Sequence, residues 1–183
     1  MVLLGLAAVI VIVILIIQQP RGSAPTGSTT PPSPSGSPSS SATSNNPADA
    51  IACDLSKVTL EASTDAVGYD PGVEPVLSFV LTSRETSPCT VPGGSDIQEF
   101  RITSGEELIW SSKDCQVDPV EGTALLQPGV PFAGPTLTWD RTRSSTDTCN
   151  TERPEVIANG ASYHLEVIVG ELKSESTRQF LLY

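Results

Sequence analysis

The amino-acid sequence predicts an all-β domain, an antiparallel β-sandwich of about seven strands, preceded by an apolar segment and a Pro/Ser/Thr-rich linker. Three observations predict it. From Cys53 to Tyr183, short runs alternate apolar and polar residues and are separated by turn signals. No stretch in that part sustains the 3.6-residue period of an amphipathic helix. All nine aromatic residues and all four Cys of the 183-residue chain also fall there, as a domain large enough to bury its own core requires.

The chain divides at residues 1–18, 19–52 and 53–183. Val2 to Ile17 carries no charged side chain. As a helix it would be roughly 24 Å long, slightly less than the hydrocarbon core of a bilayer. Residues 1–18 therefore read as a transmembrane helix, a single-pass anchor. A cleaved signal peptide is the other reading, with Gly22-Ser23-Ala24 as its small residues. Pro25 would hinder that cleavage, and the apolar run exceeds the usual signal-peptide core. No Lys or Arg precedes the run, so the basic flank is expected upstream of Met1. Residues 19–52 are rich in Pro, Ser, Thr, Gly and Asn and hold no aromatic residue. Such a segment buries too little apolar surface to offset its ordering entropy, so it reads as a disordered stalk.

The strands follow in order. Val58, Leu60 and Ala62 alternate with Lys57, Thr59 and Glu61, and Tyr69-Asp70-Pro71-Gly72 makes a turn. Pro75 to Leu81 puts Leu77, Phe79 and Leu81 on one face. Phe100 and Ile102 lead through Ser104-Gly105 into Leu108, Ile109 and Trp110, a hairpin. Pro128-Gly129 precedes a strand ending at Leu137 and Trp139. Tyr163, Leu165, Val167 and Val169 form the clearest alternation, and Phe180 and Leu182 close the chain. Tyr163 follows Asn159-Gly160. That placement suits either a tyrosine corner, its hydroxyl on nearby backbone, or an ordinary strand aromatic.

The pieces Tyr69-Asp70-Pro71-Gly72, Val76 to Leu81, Gly105 with Leu108 to Ser112, Leu126 to Gly129, Thr138 to Asp140, and Gly160 with Tyr163 resemble the BsuPI intracellular proteinase inhibitor family in order and spacing. The resemblance implies an immunoglobulin-like sandwich and, as one possible activity, protease inhibition. It marks no reactive-site residue. Ala52-Cys53-Asp54, the Cys89 region, Trp110-Ser111-Ser112 with Asp114-Cys115, and Trp139-Asp140-Arg141 are similar to membrane-anchored, Ser/Pro-stalked proteins of actinobacteria. The BsuPI family, unlike this chain, is cytoplasmic and has no disulfides.

Four Cys beyond the stalk imply an oxidising, extracytoplasmic compartment and two disulfides, for which three pairings exist. Antiparallel pairing of the first two strands would place Lys57 near Ser83, and Cys53 and Cys89 just beyond one end. That favours Cys53–Cys89 with Cys115–Cys149. The Cys spacing does not suit a metal site. No motif for a catalytic, metal or cofactor site is present, and a net charge of −11, all of it beyond residue 52, disfavours nucleic acid. The long run from Arg141 to Ile157 holds Arg141, Arg143 and Arg153 among carboxylates. It reads as either a basic contact patch or a solvated mixed-charge loop. The organisation implies a non-enzymatic domain displayed at a cell membrane to a protein or cell-envelope partner. The alternative, from the resemblance, is an extracytoplasmic protease inhibitor.

Overall fold

The computed structural model describes residues 50–183. The expected anchor and nearly all of the expected stalk lie outside the described residues. Those residues form an all-β structure. The strands are β1 (Ile51–Ala52), β2 (Val58–Thr64), β3 (Gly68–Tyr69), β4 (Val76–Ser83), β5 (Cys89–Pro92), β6 (Gln98–Ser104), β7 (Glu107–Ser111), β8 (Thr123–Leu126), β9 (Phe132–Ala133), β10 (Leu137–Thr138), β11 (Ala161–Val169), β12 (Leu172–Lys173) and β13 (Arg178–Leu182). A single 3₁₀ turn, Leu55–Lys57, is the one helical element among the described residues. The Asp54 carboxylate caps it, accepting from the Ser56 N–H at 3.1 Å. Among the described residues no helix is long and apolar enough to cross a membrane.

Three sheets result. The largest runs β3-β13-β11-β6-β7 with β12 on β11, the second runs β10-β4-β2 with β9 on β4, and the third is β1-β5-β8. Alternation explains the first two. Leu60, Leu77, Phe79 and Leu81 of the second sheet and Phe100, Ile102, Leu165, Val167, Phe180 and Leu182 of the first are all buried. Each such side chain contributes about 1.5–3 kcal/mol by leaving water. Phe79 and Phe100 meet between the two sheets, ring centroids 6.0 Å apart. Trp139 is fully buried among Trp110, Tyr163 and Phe180. Its indole N–H donates to the Thr142 carbonyl at 3.0 Å. Both Trp are thus core residues.

The structure corrects several expectations. Pairing is not wholly antiparallel, because β1 runs parallel to β5 and β3 parallel to β13. The strands also outnumber the seven expected, most of the surplus being two-residue strands. Ile51 and Ala52, placed in the stalk by composition, pair with Cys89 and Thr90. Lys57 does lie near Ser83, as expected: Val58 faces Ser83 and the Arg84 N–H donates to the Lys57 carbonyl. The run after Gly129 is two short strands, since Pro135 lacks an N–H and Gly134 lies flat against the Phe79 ring.

Tyr69-Asp70-Pro71-Gly72 turns with Gly72 at φ +79° and the Val73 N–H on the Asp70 carbonyl, the geometry of a Pro-Gly type II turn. The β6–β7 hairpin turns at Gly105, φ +60°. The Tyr163 hydroxyl donates to the Ile157 carbonyl at 2.6 Å, six residues upstream, as in a tyrosine corner.

Candidate binding surface

Cys53 bonds to Cys89 and Cys115 to Cys149, and no cysteine is free. These two bridges suggest an oxidising, extracytoplasmic environment. They differ in setting. Cys53 and Cys89 are buried at 8% and 1% exposure, where β1 joins β5. Cys115 and Cys149 tie two surface loops, with Cys149 exposed. Each closes a loop of 34 to 36 residues, worth about 3–4 kcal/mol in a chain-entropy treatment.

The segment from Arg141 to Ile157 is built into the domain rather than free. The Arg143 N–H donates to the Pro154 carbonyl and the Val156 N–H to the Arg141 carbonyl, so its two limbs pair. Ser144 then stands in for a strand beside β7. Its N–H donates to the Ile109 carbonyl at 3.1 Å, and its hydroxyl accepts the Ser111 N–H at 3.0 Å. The three arginines do not converge on a basic patch. Arg141, at φ +59°, donates to the carbonyls of Asp70, Val73 and Tyr183. Arg143 pairs with Glu107 at 2.6 Å, which holds that carboxyl below its usual range, and Arg153 pairs with Asp140.

Every other Lys and Arg among the described residues is likewise engaged within the domain. Lys57 pairs with Glu85, while Arg84 donates to the Ser56 carbonyl and Arg178 to the Thr64 hydroxyl. Arg101 reaches Glu99 and Glu166, and Lys173 also reaches Glu166. Burial pushes the Glu99 carboxyl up, but hydrogen bonds from Arg101 and Ser111 outweigh it and leave the group below its usual range. The Lys113 ammonium donates to the carbonyls of Ser95 and Asp96 and to the Gln116 amide oxygen, at 3.0, 2.6 and 2.7 Å. All nine cations are therefore engaged internally. Of twenty carboxylates, Glu85, Glu99, Glu107, Asp140 and Glu166 are paired with one. Among the described residues no group of three or more His, Cys, Asp or Glu is placed to hold a metal ion.

An apolar pocket of about 400 Å³ opens between the β6–β7 hairpin and the Pro135–Leu137 segment, beside Cys115. Phe100, Trp110, Pro135 and Leu137 form its apolar wall. Its polar neighbours are mostly committed elsewhere. The Gln98 amide donates to the Gly93 carbonyl, the Gln116 amide to Ser95, the Ser111 hydroxyl to Glu99 and the Ser144 hydroxyl to Asp114. Next to it runs Gln116 to Gly122, where Val117 and Val120 are 79% and 66% exposed. This loop is fastened down. The Val120 N–H donates to the Ser95 hydroxyl at 2.9 Å, the Asp96 N–H to the Val120 carbonyl, and the Gly93 N–H to the Gly122 carbonyl. Gly94 is required there, since a Cβ would lie 2.3 Å from the Val120 carbonyl oxygen.

Neither pocket nor loop was assigned from the sequence. The one local signal was Val117-Asp118-Pro119-Val120, apolar residues in a segment with no strand alternation. His164 lies off the core face, its ring 3.1 Å from the Thr177 hydroxyl. The fold and surface define a class, a disulfide-braced all-β domain with an anionic exterior and one fastened apolar loop beside a pocket. No protein-family model, curated protein or solved structure matches the chain.

Proposed function

We propose that the chain is a membrane-anchored, extracytoplasmic binding module. Residues 1–18 anchor it, the 19–52 stalk holds it away from the bilayer, and an immunoglobulin-like sandwich binds a protein or cell-envelope partner without catalysing a reaction. The observation that carries this reading is the apolar pocket beside a rigidly tethered loop whose valines face solvent. Ordered apolar side chains on a preorganised loop favour recognition, because little loop entropy remains to be lost on binding. Recovery from intact envelopes tests it. The full chain is expected to retain a defined component above a stalk-only control, and equal recovery would sink the idea.

Protease inhibition has one supporting observation, the Cys115-anchored exposed loop. Asp118 lies at φ +48°, however, so the loop is not extended at that residue, unlike the strand-like segment a protease cleft accepts. The inhibitor reading requires that the full chain slow at least one enzyme in a broad protease panel.

A further inference from the structure

The surface just described, taken as the binding site of the module proposed above, also constrains the chemistry of its partner. We propose that the pocket walled by Phe100, Trp110 and Leu137, with the Gln116–Gly122 loop adjoining it at Gln116 and Ser95, receives an apolar side chain flanked by Lys or Arg from a partner protein.

Three observations converge. The pocket is large enough for an aromatic or branched aliphatic side chain, at about 400 Å³. Most polar groups at its wall already hold partners within the domain, so a polyhydroxylated or strongly polar occupant would find few hydrogen bonds and lose its own to water. The adjoining loop, whose Gln116 lines the pocket, adds exposed apolar surface in Val117 and Val120 and an exposed carboxylate in Asp118, which pairs with no cation of the domain. A basic flank on the partner supplies the charge that this face lacks.

Charge also decides against a second copy of the chain. Two domains carrying all of the −11 would bring like charges together at this face, and every Lys and Arg among the described residues is committed internally. Arg153, which lines the pocket, is neutralised by Asp140.

The test uses the purified full chain and a fluorescein-labelled peptide, Lys-Lys-Phe-Leu-Lys-Lys, capped at both ends. Two control peptides replace its four Lys by Glu, or its Phe-Leu by Ser-Gly. Anisotropy titrations should show saturable binding of the first peptide, at least tenfold weaker binding of the Ser-Gly peptide, and none of the Glu peptide. Thr136→Trp, which fills the pocket mouth from an exposed position, and Val117→Ser with Val120→Ser should each weaken the first peptide at least tenfold. Glu171→Gln with Glu175→Gln, outside the pocket and loop, should leave it unchanged. Absence of saturable binding overturns the proposal. So does binding that ignores the Trp and Ser variants, which would be bulk attraction to an acidic protein, and so does a dimer of the chain alone that Thr136→Trp dissolves. The envelope experiment separates the two levels. Equal recovery of one component by wild type and Thr136→Trp removes this surface and leaves a binding module standing. Recovery of nothing by either removes both.

Discussion

Tyr69 shows how one residue couples a turn to the core and to pH. Its ring is buried and packs edge-on against Phe180, while its hydroxyl donates to the Asp65 carboxylate at 2.5 Å and accepts the Ala66 N–H at 3.1 Å. Burial, followed by the bond to Asp65, pushes the phenol up to about 12. Burial raises the Asp65 carboxyl as well, but hydrogen bonds from Tyr69 and the Val76 N–H outweigh it and leave that group below its usual range. In the unfolded chain the phenol ionises near pH ~10. Between about pH 10 and about 12 the unfolded chain therefore releases a proton that the folded domain keeps. The phenol's contribution is intact below that window and is lost as pH rises through it. Melting temperature should consequently fall more steeply across this window for the wild type than for Tyr69→Phe, and parallel slopes would refute the assignment. Gly134 carries a second residue-scale prediction. A Cβ there would sit 2.4 Å from the ring of Phe79, which is 2% exposed and has no room to yield. Gly134→Ala should cost about 1–3 kcal/mol in urea unfolding, with an unchanged β-sheet circular dichroism spectrum.

At the scale of elements, β7 is the exposed edge of the largest sheet, and an open edge invites pairing with another chain. Ser144 closes it with two hydrogen bonds, to Ile109 and from Ser111, and the Cys115–Cys149 bridge ties in the same segment. Ser144→Ala keeps the backbone bond and should cost about 1 kcal/mol. Ser144→Pro removes both bonds and should let the domain associate as its concentration rises. Sedimentation velocity over a concentration series reads this directly, and a monomer throughout would show that the loop does not guard the edge. This element also shows what the sequence leaves illegible. β2, β4, β6, β11 and β13 could be read because a two-residue period over five or more positions marks one buried face, as Leu77, Phe79 and Leu81 do. The β1-β5-β8 sheet could not, because its strands span only two to four residues and β5 ends in Pro92. At the candidate site, Trp110 and Phe100 were legible as apolar strand residues. The pocket they help to wall depends on Pro135 and Leu137 arriving from the β9–β10 segment, and Arg141 finds Asp70 a full 71 residues away. No local pattern encodes such meetings.

For the whole molecule the decisive property is that positive charge among the described residues is used up internally. Nine Lys and Arg face twenty Asp and Glu among residues 50–183, and each cation already touches an oxygen of its own domain. Most of these contacts are surface pairs worth at most about 1 kcal/mol each, so they do little for stability. Their larger effect is on the outside field, which is negative and uncompensated, with a screening length of about 8 Å at physiological salt. Such a field steers cationic partners inward and holds anionic surfaces off. The purified full chain should therefore not gather onto phosphatidylglycerol vesicles through this domain when a chelator is present. Any adhesion through this domain should appear only with divalent cations and should vanish on chelation. To separate the domain from the apolar segment at residues 1–18, the comparison is between the full chain and a variant with Glu106, Asp118, Glu121 and Glu152 all changed to Gln, each of them exposed and without an ion pair. Both carry the same N-terminal segment, so a difference in co-sedimentation reports on the field alone. The variant should bind more in chelator. Equal binding would mean that these charges do not set the long-range interactions of the domain.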